Sequence, residues 1–252
     1  MLVAASTDCF ADLPLDAALG KLLDLEFTCV EIALRESGNQ LKPSQVLANL
    51  EEAIQACRET HRLKPVAYTT DFAAPDDATY YRQFAACCKL AKATRVVSIT
   101  VRAGELGTPF NAEVERLREL VKIGAAEGVL VSVKSEIGHM TQDPATAIVL
   151  CDNVKGLGIT LDPSHYVCGP LAGVNYDHTI KYVYHTQLRD STKDKLQVRV
   201  GQGQIEYGRL VSQLSKVHYD RALAIDIRDL PDSGIDHHAE LRKLRLLLES
   251  LM

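Results

Sequence analysis

Four polar residues stand at the ends of apolar, strand-like runs in the second half of the sequence. They are Glu136, Asp162, Gln187 and Asp226, one in each of the last four such runs. Three carboxylates that face one space repel each other, and a divalent cation removes that repulsion because Mg²⁺ and Mn²⁺ prefer oxygen ligands. Gln187 offers an amide oxygen, and His185 is an alternative nitrogen ligand. The pattern predicts a metal centre that acts as a Lewis acid on a substrate carbonyl or hydroxyl.

The runs that carry these residues alternate polar and apolar side chains. Run 182–190 places His185, Gln187 and Arg189 on one face, because successive side chains of a strand point to opposite sides. Run 129–136 has the same design, with three valines opposite its polar residues. Large polar groups in a row on one strand face need water, a metal or a substrate to satisfy them.

Strand-like and helical runs alternate along the whole chain. Eight of each fit into 252 residues, which is close to the usual length of a (β/α)8 barrel. The alternation indicates parallel strands. An open, doubly wound sheet is the alternative, but its strands would be apolar on both faces, and no GxGxxG follows the first strand. We therefore predict an α/β fold, a (β/α)8 TIM barrel in a single domain over 1–252, with one continuous helix at about 43–60.

Composition excludes several classes of protein. A hydrophobic content of 46% and a charged content of 24% are those of a globular chain, and the net charge of −5 argues against non-specific nucleic-acid binding. No apolar run reaches the roughly 18–20 residues of a membrane span, and the start lacks the basic region of a signal peptide. The seven cysteines form no CxxC pair and are predicted to be buried thiols. We expect a cytoplasmic protein without nucleic-acid or membrane partners.

Several short motifs resemble the xylose-isomerase-like sugar phosphate isomerase/epimerase superfamily. They are VEIAL at 30–34, SEIGHMTQDP at 135–144, LDPSH at 161–165, HTQLRD at 185–190 and VGQG at 200–203. The resemblance covers nearly the whole chain. It implies a TIM barrel whose divalent metal is held by one acidic residue each from strands five, six and eight and by a histidine on strand seven.

Matched residue by residue, the resemblance gives Glu136 the place of the strand-five ligand. Asp162 and His165 match the Asp-x-x-His motif of strand six. Gln187 takes the position of the strand-seven histidine, which is similar to the dehydroshikimate dehydratase branch. Asp226 replaces the usual strand-eight glutamate. In the tagatose-epimerase branch the strand-five and strand-eight glutamates also move the proton, so the shorter Asp226 departs from that pattern.

The resemblance and the residues together suggest proton transfer beside a metal-bound carbonyl, which acidifies the neighbouring C–H. Glu136 is the expected base, Asp226 a second acid or base, and His165 a group that binds or protonates a substrate oxygen. The expected contacts of an anionic or hydroxylated substrate are Lys134, Arg199, Arg189 and His165. Gly201 and Gly203 are consistent either with a phosphate cradle of backbone N–H groups or with a tight turn.

The predicted function is therefore a divalent-metal-dependent isomerase or epimerase of a sugar or sugar phosphate. Mn²⁺ or Mg²⁺ is the expected metal, with Zn²⁺ or Co²⁺ as alternatives. A metal-dependent dehydratase of an inosose-like or dehydroshikimate-like substrate is the second hypothesis, and a barrel that binds a metabolite without catalysis is the third. Members of this superfamily often assemble as homo-oligomers, so a homo-oligomer is an open expectation.

Overall fold

A closed barrel of eight parallel strands forms the centre of the computed structural model, which describes residues 1–230 and 234–252. Each strand pairs with the next along the chain, and the last pairs with the first through the register Leu2 to Ala222. The strands are β1 Leu2–Ser6, β2 Cys29–Arg35, β3 Lys64–Asp71, β4 Ser98–Val101, β5 Leu130–Lys134, β6 Leu157–Leu161, β7 Val183–Leu188 and β8 Ala222–Ile225. The predicted (β/α)8 TIM barrel is confirmed.

Helices connect the strands and cover the outside of the barrel. They are α1 Leu15–Asp24, α2 Pro43–Ala48, α3 Leu50–Arg58, α4 Asp77–Thr94, α5 Phe110–Ala126, α6 Pro144–Asn153, α7 Ser164–Val167, α8 Tyr207–Lys216 and α9 His237–Ser250. Short 3-10 segments lie at Thr7–Phe10, Met140–Gln142 and Asp177–Tyr182. Within the described ranges, none of these helices has the length and apolarity that crossing a bilayer would take.

The continuous helix expected at 43–60 is wrong, because the chain breaks at Asn49. This residue has φ −145° and ψ 86°, outside the helical region, and it separates α2 from α3. Its side-chain oxygen accepts the backbone N–H of Glu52 at 3.3 Å, which satisfies a free donor in the first turn of α3. Asparagine favours such caps over helix interiors because its side chain competes for backbone hydrogen bonds.

The last strands are shorter than predicted, and this affects the site. The expected strand 182–190 contracts to β7 Val183–Leu188, and β8 Ala222–Ile225 ends before Asp226, the residue expected at the end of its strand. Arg189 and Asp226 therefore follow their strands instead of lying within them. Both residues lie at the carboxyl end of the barrel, where enzymes of this fold place their active sites.

The core divides into an outer and an inner part, as the strand alternation predicts. Outward side chains such as Val131 and Val133 are buried against the helix layer. Inside the barrel, small residues fill the amino end: Ala4, Cys29, Ala222 and Ala224. Above them, the hydroxyl of Thr160 bonds those of Thr100 and Ser132 at 2.7 and 2.6 Å. The seven cysteines are free and buried, as predicted.

Candidate functional site

A cavity of about 610 Å³, here called the mouth cavity, opens at the carboxyl end of the barrel. The ends of β2 to β8 contribute charged or titratable side chains to its wall. These are Arg35, Asp71, Arg102, Lys134, Glu136, His165, Arg189 and Arg228. Five of them are cations, so an entering molecule meets more positive than negative groups. Of the predicted substrate contacts, Lys134, His165 and Arg189 lie here.

Asp162 and Asp226, two of the predicted metal ligands, come together beneath this cavity. Both are fully buried, and the Oδ2 atom of each accepts a 2.8 Å hydrogen bond from Nη2 of Arg189. Nζ of Lys134 lies 3.7 Å from Asp162 Oδ2 and 3.6 Å from Asp226 Oδ2. Two cationic side chains of the protein, Arg189 and Lys134, therefore already occupy the space between the two carboxylates.

The other two predicted ligands point elsewhere. Glu136 lies on the cavity wall, with its Oε2 3.2 Å from Arg102 Nε. Gln187 is buried inside the barrel and donates its amide N–H to Glu31 Oε1 at 2.9 Å. His185, the alternative ligand, contacts Glu31 Oε2 at 2.5 Å. Gln187 and His185 thus belong to a buried trio around Glu31, a residue that the sequence pattern did not single out for this role.

These positions do not fit the divalent metal centre drawn from the sequence. In the described ranges, no three or more His, Cys, Asp or Glu residues are grouped so that they could hold a metal ion. A divalent cation between Asp162 and Asp226 would also meet the guanidinium of Arg189 and the ammonium of Lys134 at close range. Like charges at such distances repel strongly in a buried site.

The cationic neighbours keep both buried carboxylates ionised. Burial alone would raise the pKa of Asp162, but the positive charge of Arg189, aided by Lys134, holds that pKa below its ordinary value. Burial would likewise raise the pKa of Asp226, yet Arg228 and then Arg189 hold it well below the ordinary value. Removing one cation would leave an uncompensated buried charge, which is among the costliest defects in a protein interior.

His165 is a neutral ring with a defined tautomer. Burial lowers its pKa to about 4, despite the neighbouring charge of Asp162. Its Nδ1 accepts the backbone N–H of Ile137 at 3.1 Å, so in the neutral ring the proton resides on Nε2. That Nε2 is 3.6 Å from Asp162 Oδ2, which is too long for a hydrogen bond, and the residue lines the mouth cavity. His165 can therefore donate a hydrogen bond to a ligand.

Ion pairs run around the barrel mouth with alternating sign. Arg228 joins Asp226 to Asp8 at 2.9 and 2.7 Å. The series of ion pairs continues from Asp8 to Arg35 and from Arg35 to Asp71. It then runs from Asp71 to Arg102 and from Arg102 to Glu136. With Lys134, Asp162 and Arg189 this set, called the charge ring below, holds five cations and five carboxylates. The five cations line the mouth cavity, whereas Asp8, Asp162 and Asp226 do not.

Asp190 explains the glycines of the VGQG motif. Its carboxylate accepts the backbone N–H groups of Gly201 and Gly203 at 2.7 and 3.0 Å and that of Ser191 at 3.0 Å. A Cβ on Gly203 would lie 1.9 Å from Asp190 Oδ1. The N–H groups are thus occupied by the protein, so the turn is the correct interpretation and the phosphate cradle is wrong. Arg199, the residue before this motif, is exposed and lies outside the mouth cavity.

Comparisons with known proteins agree with this architecture. Residues 19–247 match the sequence profile described as xylose isomerase-like TIM barrel. A search of curated proteins gave no significant match.

Three similar solved structures illustrate the likeness. D-psicose 3-epimerase with D-tagatose, from Clostridium cellulolyticum H10, is 12% identical with a TM-score of 0.76, over 100% of this chain and 99% of that one. The E. coli 3-keto-D-glucoside 4-epimerase is 17% identical with a TM-score of 0.73, over 98% and 99%. A probable 3-DHS dehydratase from Bacillus anthracis is 14% identical with a TM-score of 0.74, over 99% of each chain. At these identities the likeness establishes the fold alone.

Proposed function

Because the chain belongs to the xylose isomerase-like TIM-barrel family, we propose that it is an isomerase or epimerase. It moves a proton at the carbon next to the carbonyl of a small, sugar-like substrate. One observation carries the proposal: a single cavity presents a carboxylate, a neutral histidine and two cations together, namely Glu136, His165, Lys134 and Arg189. Epimerases and a dehydratase among the similar structures agree with this chemistry.

Glu136 is the group that takes the proton. Its Oε2 is buried beside Arg102 Nε at 3.2 Å, so Oε1, which has no hydrogen-bond partner in the described part of the chain, is the oxygen left for a ligand. A carboxylate oxygen that no protein donor occupies can accept a proton without first giving up a hydrogen bond. The ion pair with Arg102 fixes the side chain on the cavity wall.

Lys134 and Arg189 stabilise the negative charge that develops on the carbonyl oxygen once the proton leaves. Nζ of Lys134 lies 3.6 and 3.7 Å from its two carboxylates, beyond hydrogen-bond length, so its N–H groups are available to a ligand. Fixed charges of this kind in a partly buried site lower the barrier because they need no reorganisation during the reaction. No step of this proposal uses the predicted Mn²⁺ or Mg²⁺, because the residues present do not fit it.

A dehydratase is the second candidate, and the tautomer of His165 favours it. After Glu136 removes the proton from carbon, it can pass that proton to a hydroxyl on the next carbon, which then leaves as water. Nε2–H of His165, held at the cavity by the hydrogen bond from Ile137 to Nδ1, can donate a hydrogen bond to the departing oxygen. The two reactions share the first step and differ only in whether the proton returns to carbon or the hydroxyl departs.

The test is exchange of substrate hydrogen with solvent. Ketoses, keto-polyols and their acid or phosphate derivatives are incubated with the protein in D₂O and followed by ¹H NMR. Deuterium at the carbon next to the carbonyl supports proton transfer, and a second product then separates an isomerase or epimerase from a dehydratase, which gives an enone absorbance. No exchange with any member of the panel would instead favour the metabolite-binding barrel without catalysis.

A further inference from the structure

A second cavity, of about 740 Å³, adjoins the mouth cavity and is called the side cavity below. It lies between the loop that follows β7 and the loop that follows β8. The two cavities share three lining residues, Arg189, Leu196 and Arg228. A molecule that extends past Arg189 and Arg228 can therefore occupy both.

Among the residues that the structure describes, those that line the side cavity include cations but no carboxylate. Four cations line it, and no carboxylate does so among the lining residues that the structure describes: Arg189, Lys195, Arg199 and Arg228. Arg189 and Arg228 are neutralised by the charge ring. Lys195 and Arg199, in contrast, have no carboxylate partner within residues 1–230 and 234–252. Within the described part of the chain, two of the four cations are thus not paired with a carboxylate.

A buried donor on Arg189 points to a ligand independently of the charge count. Its Nε–H is buried and has no hydrogen-bond partner in the described part of the chain, although its Nη2 serves two carboxylates. An unsatisfied buried donor is costly, and proteins rarely leave one unless a ligand or water completes it. Arg189 lines both cavities, so a modest turn of its guanidinium toward the side cavity would give this donor an oxygen of a bound molecule as its acceptor.

The loop that carries these cations is held in place by backbone contacts. Gln197 donates to the carbonyl of Arg228 at 2.7 Å and accepts its N–H at 2.8 Å. Nη2 of Arg199 donates to the carbonyl of Gly234 at 2.6 Å. Cations that are ordered before binding lose little conformational freedom when they meet an anion, which favours affinity.

We propose that the side cavity binds an anionic group, a carboxylate or a phosphate, of the substrate whose carbonyl end reacts in the mouth cavity. The proposal rests on the proposed function and narrows its substrate class from sugar-like molecules in general to sugar acids or sugar phosphates. Guanidinium groups bind such oxygens through charge-assisted, often paired hydrogen bonds. Lys195 adds a second positive charge on the same side.

The anion site is tested by binding, without turnover. Inorganic phosphate, gluconate and neutral sorbitol are titrated by calorimetry at constant ionic strength against the wild type and the double variant K195Q/R199Q. Lys193→Gln is the matched control, because it removes a charge from the same loop but does not line the side cavity. Phosphate or gluconate should bind the wild type and the control alike and the double variant at least about tenfold more weakly. The tighter of the two identifies the anion.

Saturable binding of neither anion, or equal weakening in Lys193→Gln and in the double variant, overturns the anion site. The deuterium-exchange panel separates this failure from failure of the proposed function. Exchange with neutral ketoses that is unaffected by K195Q/R199Q keeps the proposed function and rejects the anion site. Binding of phosphate that depends on Lys195 and Arg199, without exchange of any substrate, keeps the anion site and rejects the catalytic proposal.

Discussion

Replacing Arg189 by methionine should destabilise the protein strongly, because it removes the cation between two buried carboxylates. Asp162 and Asp226 are fully buried, and each loses a 2.8 Å charge-assisted hydrogen bond. Breaking a buried ion pair from one side costs about 3–5 kcal/mol. For a chain of this size, each kcal/mol lowers the melting temperature by roughly 2–4 °C. The melting temperature of Arg189→Met should therefore fall by roughly 6–20 °C.

The same variant gives a second, sharper expectation. Without the guanidinium, only Lys134 remains between the two carboxylates, and a divalent cation that prefers oxygen ligands can supply the missing positive charge. Thermal unfolding is followed by circular dichroism with and without about 1 mM Mn²⁺. It measures both the loss of stability in the variant and the effect of the metal. Mn²⁺ should raise the melting temperature of Arg189→Met but leave the wild type unchanged. The exposed Arg199→Met serves as a control with little change. An unshifted melting temperature in Arg189→Met, or equal stabilisation of the wild type by Mn²⁺, refutes the reasoning.

Two further outcomes follow from buried contacts. The folded pKa of His165 is lowered from 6.5 to about 4, so between these values the unfolded chain takes up a proton that the folded protein does not. The free energy of unfolding should therefore fall by up to roughly 3 kcal/mol as the pH drops through this window. His165→Asn should flatten the dependence of the unfolding free energy on pH, measured by urea unfolding. An identical pH dependence in the variant contradicts this. Gly158→Ala should lose about 1–3 kcal/mol, since its Cβ would lie 2.2 Å from the ring of Tyr184, whereas Gly20→Ala, with open space, should be neutral or stabilising. Equal unfolding free energies for the two glycine variants would show that the ring of Tyr184 moves aside freely.

The barrel could be predicted from the sequence because its signals are local and repeated. Alternation of strand and helix specifies parallel strands, and period-two patterning specifies which strand faces look inward. Ser132 and Gln187 lie inside the barrel as that pattern requires. The helix at 43–60 failed because a single residue, Asn49, gained more from capping than from continuing the helix. The spacing of apolar residues does not show where a side chain will cap a helix instead of continuing it.

The candidate site was harder to predict because it depends on where long side chains reach. Strand position correctly brings Asp162 and Asp226 together, but the pattern does not say that Arg189 would lie between them. Likewise Gln187 bonds Glu31, which is 156 residues away along the chain. One signal was present in the sequence: cationic residues stand at or just after the ends of several strands, and they are as numerous as the carboxylates at those ends. A balanced set of charges at strand ends indicates an ion-pair ring as readily as a metal centre.

In the proposed reaction, the chain's own charged groups move a substrate proton at the barrel mouth without a metal ion. The most direct measurement is deuterium incorporation next to the carbonyl of sugar acids and sugar phosphates in D₂O, with protein stripped by EDTA, alongside Glu136→Gln. We expect the stripped wild type to exchange at the same rate as untreated protein, and Glu136→Gln to lose roughly a hundredfold or more of that rate. Exchange that reappears only when Mn²⁺ or Mg²⁺ is added, or that persists undiminished in Glu136→Gln, would contradict the claim.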